Sequence, residues 1–174
     1  MKIGDTLHPF QLLGAMDETV STDDIDGRPA LFIFTCNHCP YAQAYVSRIR
    51  SLRERFPESE LFIAAINPND ADQYPQDSFE NMKGMAVELG LDNNYLWDET
   101  QLVAETYGAQ RTPEVFLFDR EGILQYKGAL DDNWESLDGV VEHYVVEAIE
   151  AVIGDSSPLN TETDAVGCSI KWKI

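Results

Sequence analysis

The apolar run Ala30-Leu31-Phe32-Ile33-Phe34 leads directly into Thr35-Cys36-Asn37-His38-Cys39-Pro40, and a helical period follows at once. This junction constrains the chain more than any other feature. A short continuous apolar run fits a strand buried on both faces. Ala42, Tyr45, Val46, Ile49, Leu52 and Phe56 then recur at helical spacing, with Arg48, Arg50, Arg53 and Glu54 between them. That is the pattern of an amphipathic helix, and it stops before Pro57. A strand passing into a helix through a C-x-x-C pair puts two thiols at the carboxyl end of a sheet strand, where open α/β sheets carry their reactive groups.

The rest of the pattern extends this unit. Leu61 to Ile66 reads as a second buried strand, and Asn67-Pro68-Asn69-Asp70 as a loop. Ser78 to Leu89 predicts a helix ending at Gly90, and Asp98 to Tyr107 a short helix ending at Gly108. Val115 to Phe118 and Ile123 to Tyr126 flank the turn Asp119 to Gly122 as a hairpin. Trp134, Leu137, Val140, Val141, Tyr144, Val145, Ala148, Ile149 and Val152 form a long helical stripe. Phe10 to Leu13 is a candidate strand in the lead-in, and Asp26-Gly27 a turn. The expected class is α/β: a central mixed sheet flanked by helices on both faces, with an N-terminal strand lead-in. Residues 155–174 read as a Ser-, Pro- and Thr-containing C-terminal tail docked on the same domain.

The chemistry expected at the junction is thiol chemistry. A helix N-terminus offers free N–H groups and partial positive charge, both of which favour the nucleophilic thiolate. Cys36 is expected to attack and Cys39 to resolve, because Cys36 is read as nearer the helix start and the spacing lets the two sulfurs close a small disulfide loop. Pro40 falls in the first turn, where a missing N–H costs little. His38 can add positive charge or a donor, stabilise the Cys36 thiolate and make the disulfide more oxidising. A zinc site needs four ligands; there is no second C-x-x-C, and Cys168 would be only a third sulfur. No metal and no cofactor are therefore expected.

The chain carries 31 Asp and Glu against 12 Lys and Arg. A field of that sign repels phosphate backbones and anionic lipid, which excludes nucleic acid and membranes as expected partners. The sequence shows neither a basic and apolar leader nor an apolar run long enough to cross a bilayer, so a cytoplasmic protein is expected. Three cysteines are too few for a secreted disulfide framework. The acidic surplus with scarce Lys fits either an ordinary acidic surface or a salt-adapted, halophilic source.

Several segments together resemble one family over nearly the whole chain. They are Gly4-Asp5-x-x-x-Pro9-Phe10-x-Leu12, Phe34-Thr35-Cys36-Asn37-His38-Cys39-Pro40, Asn67-Pro68-Asn69-Asp70, Tyr74-Pro75-x-Asp77-Ser78-Phe79-x-x-Met82, and Gly167-Cys168-Ser169-Ile170-Lys171-Trp172-Lys173. The chain resembles the thioredoxin-like branch of the alkyl hydroperoxide reductase/thiol-specific antioxidant (redoxin) family, and the last three segments resemble one subgroup of it. The resemblance implies a thioredoxin-like fold over residues 1–154. It also implies a thiol–disulfide oxidoreductase that exchanges protein or small-molecule disulfides through Cys36 and Cys39 and draws on a reducing thiol donor. It further implies a cis proline facing the cysteines, at Pro113 in this chain. Such a bond would turn the backbone of Thr112 toward the cysteines to pair with an extended substrate chain. Thr35, Thr112 and Pro113 are thus the expected substrate-binding residues.

Two departures from thioredoxin itself matter. Thioredoxin has Trp before its first cysteine and Gly-Pro between the pair; here Thr35 and Asn37-His38 stand there. Thioredoxin also has an acid in the strand beneath the cysteines, and Ala30 to Phe34 has none, so the proton acceptor for Cys39 stays open, with Glu114 one candidate. The alternative activity is thiol peroxidase. Peroxiredoxins carry Thr three residues before the reacting cysteine, whereas Ile33 precedes Cys36 and Cys36 precedes Cys39 at that distance. A non-enzymatic redox-sensing or partner-binding module is the third reading. Cys168 itself reads two ways: an inert side chain in a docked tail, or a third redox thiol, which requires Cα atoms within about 7 Å of its partner. Tyr74, Phe79 and Trp97 read as groove lining or as packing, Asn67 as a turn cap, and His8 and His143 as surface groups.

Overall fold

The computed structural model describes residues 1–174. In chain order the elements are β1 (Gln11–Gly14), β2 (Thr19–Ser21), β3 (Ala30–Phe34), α1 (Pro40–Arg55), β4 (Phe62–Asn67), α2 (Phe79–Leu89), β5 (Tyr95–Trp97), α3 (Leu102–Tyr107), β6 (Arg111–Thr112), β7 (Glu114–Phe118), β8 (Leu124–Gly128), α4 (Tyr144–Ile153) and β9 (Cys168–Ser169). Seven strands form a mixed sheet in the order β2-β1-β5-β4-β3-β7-β8, and β6 and β9 pair in a separate ladder. The pairs β3–β4 and β4–β5 are parallel, and the remaining neighbours are antiparallel.

The continuous apolar runs are explained by burial on both faces. Side chains alternate across a strand. Leu31, Ile33, Ile63, Ala65, Val115 and Leu117 face a core built with Tyr45, Ile49 and Leu52 of α1, Met82 and Ala86 of α2, and Ile149 and Val152 of α4. Phe32, Phe34, Ala64, Ile66, Phe116 and Phe118 face the other core, with Val103, Ala104 and Tyr107 of α3 and Ile170 of the tail. Tyr107 anchors that second layer, packing edge-on or tilted against Phe32, Phe34, Phe116 and Phe118 and donating its hydroxyl to the His8 carbonyl at 2.7 Å.

Some boundaries differ from the sequence reading. The predicted helix from Asp98 begins only at Leu102, because the buried Asp98 carboxylate accepts the Val103 and Ala104 N–H groups as an anchor ahead of the first turn. The long stripe from Trp134 to Val152 is helical only over Tyr144–Ile153, apart from a short 3-10 turn at Leu137–Gly139. Ahead of α4, Arg48 draws the carbonyls of Asn133 and Trp134 to its guanidinium, and the Asp132 carboxylate takes the Val141 N–H. Those groups are thereby withdrawn from a helical ladder.

The tail is built into the fold. Lys127 N–H donates to Thr161 O, and Thr163 N–H to Lys127 O, so the chain runs alongside the outer strand β8. It then reaches β6, where Thr112 stands opposite Cys168 and Arg111 opposite Ser169.

Candidate active site

Strand β3 delivers Thr35, Cys36 and Asn37 to its carboxyl end, all three buried. The helix that follows begins at Pro40 and is N-capped by Cys39. This corrects the expected order: Cys39, not Cys36, is the thiol nearest the helix start, because proline without an N–H is suited to the first helical position and starts α1 there.

Thr112 is the point where the cysteines meet. The Thr112–Pro113 peptide is cis. Cys36 Sγ lies 3.6 Å from the Thr112 hydroxyl, and Cys39 Sγ lies 3.6 Å from the Thr112 carbonyl oxygen. The third cysteine arrives on β9. The disulfide present joins Cys39 to Cys168, with Cα atoms 6.5 Å apart, and Cys36 is a free, buried thiol. The expected Cys36–Cys39 disulfide is therefore not the one the structure holds, and the reading of Cys168 as an inert side chain is corrected too. The cause is the β6–β9 pairing, which puts Cys168 opposite Thr112 and so beside Cys39. Gly167 makes the approach possible: a Cβ there would lie 2.4 Å from the Thr112 carbonyl oxygen.

The acid beneath the cysteines comes from elsewhere in the chain. Asp77 is fully buried. Its Oδ1 accepts the N–H groups of Asn37 and His38 at 2.8 and 3.2 Å; its Oδ2 accepts from Asn69 Nδ2 at 2.8 Å and pairs with His38 Nδ1 at 2.6 Å. Asn67 donates its side-chain amide to the Asp77 carbonyl, and Tyr95 donates its hydroxyl to Asn37. His38 is about a quarter exposed and stacks on Tyr74, whose ring also lies near Lys171 Nζ. The imidazole is thus committed to Asp77 and Tyr74, and its Nδ1–H is oriented toward the carboxylate.

These surroundings reverse the electrostatics expected of Cys36. Burial pushes its thiol up to about 11, and the Asp77 charge adds to the rise. The Thr112 hydroxyl and the backbone N–H groups of Cys39 and His38 favour the thiolate, but they do not outweigh burial. With Cys39 and Cys168 bonded, Cys36 is a protonated thiol at neutral pH.

The remaining sequence candidates separate cleanly. Glu114 accepts the N–H groups of Gln110 and Arg111 at 2.7 and 3.0 Å, so this carboxylate caps the turn before β7. Phe79 and Trp97 stack on each other against the core, and His8 and His143 are exposed. Asn67 does cap a turn, accepting Asn69 N–H, besides holding Asp77. Donor atoms of Cys36, His38 and Asp77 lie within 4.8 Å of one another. They are one short of a structural zinc's four ligands, and the Asp77 oxygens are already engaged by four N–H donors. Sequence reasoning assigned no role to Asp77; its only trace was the Tyr74-Pro75-x-Asp77 segment, in which nothing points to His38.

Comparison with known proteins decides the family. The model of the AhpC/TSA family matches residues 3–127. The chain belongs to the AhpC/TSA family. Among solved structures, an uncharacterized conserved protein from Geobacillus kaustophilus is 36% identical with a TM-score of 0.91, over 99% of this chain and 93% of that one. A hypothetical protein from Sinorhizobium meliloti 1021 is 29% identical with a TM-score of 0.91, over 99% and 96%. The thioredoxin domain of a Bacteroides vulgatus thiol-disulfide oxidoreductase is 19% identical with a TM-score of 0.61, over 73% and 88%, a likeness of fold. No curated protein matches the sequence. This AhpC/TSA chain therefore has a thioredoxin-like fold, and the first two relatives share its architecture through the tail.

Proposed function

We propose that the protein is a thiol–disulfide oxidoreductase in which Cys36 and Cys39 exchange disulfides with a disulfide substrate and are returned to thiols by a reducing thiol donor. The observation that carries this reading is the convergence on Thr112: Cys36 Sγ and Cys39 Sγ each lie 3.6 Å from it, next to the cis Pro113 peptide. Cys36 attacks as thiolate, forming a mixed disulfide and releasing the substrate's first thiol. Cys39 then attacks the Cys36 sulfur and releases the second. The Thr112 hydroxyl supports the charge on Cys36 at the first step. The Asp77–His38 pair holds the loop between the cysteines through the Asn37 and His38 N–H groups.

The test is trapping. Cys39→Ser is expected to accumulate Cys36 mixed disulfides when the reduced protein is mixed with oxidised substrate, and Cys36→Ser is not. The reverse pattern would exchange the two roles. Turnover of hydrogen peroxide in place of insulin or a glutathione-mixed disulfide would transfer the protein to the peroxidase class.

A further inference from the structure

The three sulfurs share one residue. Thr112 meets Cys36 through its hydroxyl, Cys39 through its carbonyl, and Cys168 across the β6–β9 ladder. The ladder places a strand of the protein's own tail on the edge of β6, where an extended substrate chain would add. The tail is also secured there without help from the disulfide. Ile170 is buried and its N–H donates to Gln110 O; Lys171 N–H donates to Asn69 Oδ1; the Lys171 carbonyl accepts from Asp70 N–H and Gln101 Nε2; and Lys173 N–H donates to Gln101 Oε1. These contacts seat the tail next to the sulfur bond and set Cys168 beside Cys39.

We propose that Cys168 is a third redox thiol that takes the disulfide over from the Cys36–Cys39 pair, with β9 acting as a tethered client strand; the proposal rests on the oxidoreductase reading above. The sequence of bonds is balanced. The Cys36 thiolate attacks a substrate R–S–S–R, the Cys36–SR bond forms, and one RS⁻ leaves. Cys39 attacks Cys36, forming Cys36–Cys39 and expelling the second RS⁻. Cys168 attacks the Cys39 sulfur, forming Cys39–Cys168 and expelling Cys36 as thiolate. The two electrons that reduce R–S–S–R come from Cys39 and Cys168, and the protons of those two thiols go to the two RS⁻ groups. Cys36 takes back from solvent the proton it gave up before attacking and ends as a thiol, which is the arrangement observed. Its buried site favours protonation, and a protonated thiol does not attack back. The reducing thiol donor then opens Cys39–Cys168.

The experiment follows the disulfides in time. The fully reduced chain is mixed with excess glutathione disulfide, quenched by acid and alkylation, and mapped by peptide mass spectrometry. The expected course is a Cys36 linkage first, then an end state of Cys39–Cys168 with Cys36 alkylated. Cys168→Ser should stop at Cys36–Cys39, and Cys36→Ser should form Cys39–Cys168 more slowly by about ten-fold or more. Gly167→Ala keeps all three thiols but forces β9 off Thr112, so it should leave formation of the Cys36 linkage unchanged and slow the Cys168 attack that forms Cys39–Cys168 by about ten-fold or more. An end state of Cys36–Cys39 with Cys168 alkylated overturns the relay, as does Cys39–Cys168 forming at full rate in Cys36→Ser or in Gly167→Ala. If glutathione disulfide oxidises none of the three cysteines, the oxidoreductase reading itself fails and the relay falls with it.

Discussion

Cys36 shows how far burial, with one charged neighbour, can shift a reactive group. Its thiol is raised by burial first and by Asp77 second, to about 11. In the form with Cys39–Cys168 closed, alkylation of Cys36 should therefore climb about ten-fold for each pH unit up to that value, since only the thiolate reacts. A plateau reached at neutral pH would contradict this. Asp77→Asn removes the negative charge while keeping the size of the side chain, so Cys36 should alkylate faster at neutral pH. The same variant weakens a fully buried carboxylate with four N–H donors, with an expected loss of about 1–3 kcal/mol in urea denaturation. The pH dependence of stability has a definite sign. A thiol whose folded pKa is raised stabilises the fold fully below its ordinary value of 9.0 and loses that contribution as pH rises through about 11. Wild type should lose stability between those limits, and Cys36→Ser should lose less.

Arg48 joins α1 to the loop before α4. It pairs with Asp131 at 2.7 Å, both side chains nearly buried, and it holds the carbonyls of Asn133 and Trp134. Arg48→Ala leaves Asp131 buried with Tyr45 and the Asn133 N–H as its remaining partners and should cost about 3–5 kcal/mol in urea denaturation. A loss below 1 kcal/mol would mean the loop is held by its packing alone. This pair also shows which elements the sequence disclosed. β3, β4, β7, α1 and α2 announced themselves because each carries its own periodicity or apolar run, with a proline or glycine at its end. β5, β6 and β9 did not, since strands of two or three residues have no measurable period and exist only because a neighbour supplies their hydrogen bonds. The loop before α4 carries helical apolar spacing, but its backbone partners are Arg48 and Asp132, which no local pattern reveals. The site divides the same way. The C-x-x-C was legible as a local pattern and Pro113 through the family resemblance, whereas Asp77 and the Cys39–Cys168 bond arise from contacts between segments 39 and 129 residues apart in the chain.

Across the whole molecule the net charge of −19 is opposed by few ion pairs, most of them solvent-exposed. Repulsion among surface carboxylates is screened over about 10 Å at 0.1 M salt. The melting temperature should therefore rise as potassium chloride is added toward molar concentrations; an unchanged value would favour the ordinary acidic surface over salt adaptation. The tail adds a second property at this scale. Residues 161–163 run along β8, where Lys127 donates to Thr161 and accepts from Thr163, while Thr163 Oγ1 accepts the Ala129 N–H. A chain shortened to residue 154 would bare those peptide groups beside the buried side chains of Leu124 and Tyr126, offering another copy a ready line of hydrogen bonds. Such a chain should sediment as larger, concentration-dependent species, and unchanged sedimentation would mean that the stretch carrying Cys168 to Thr112 does not also shield this edge from a second copy.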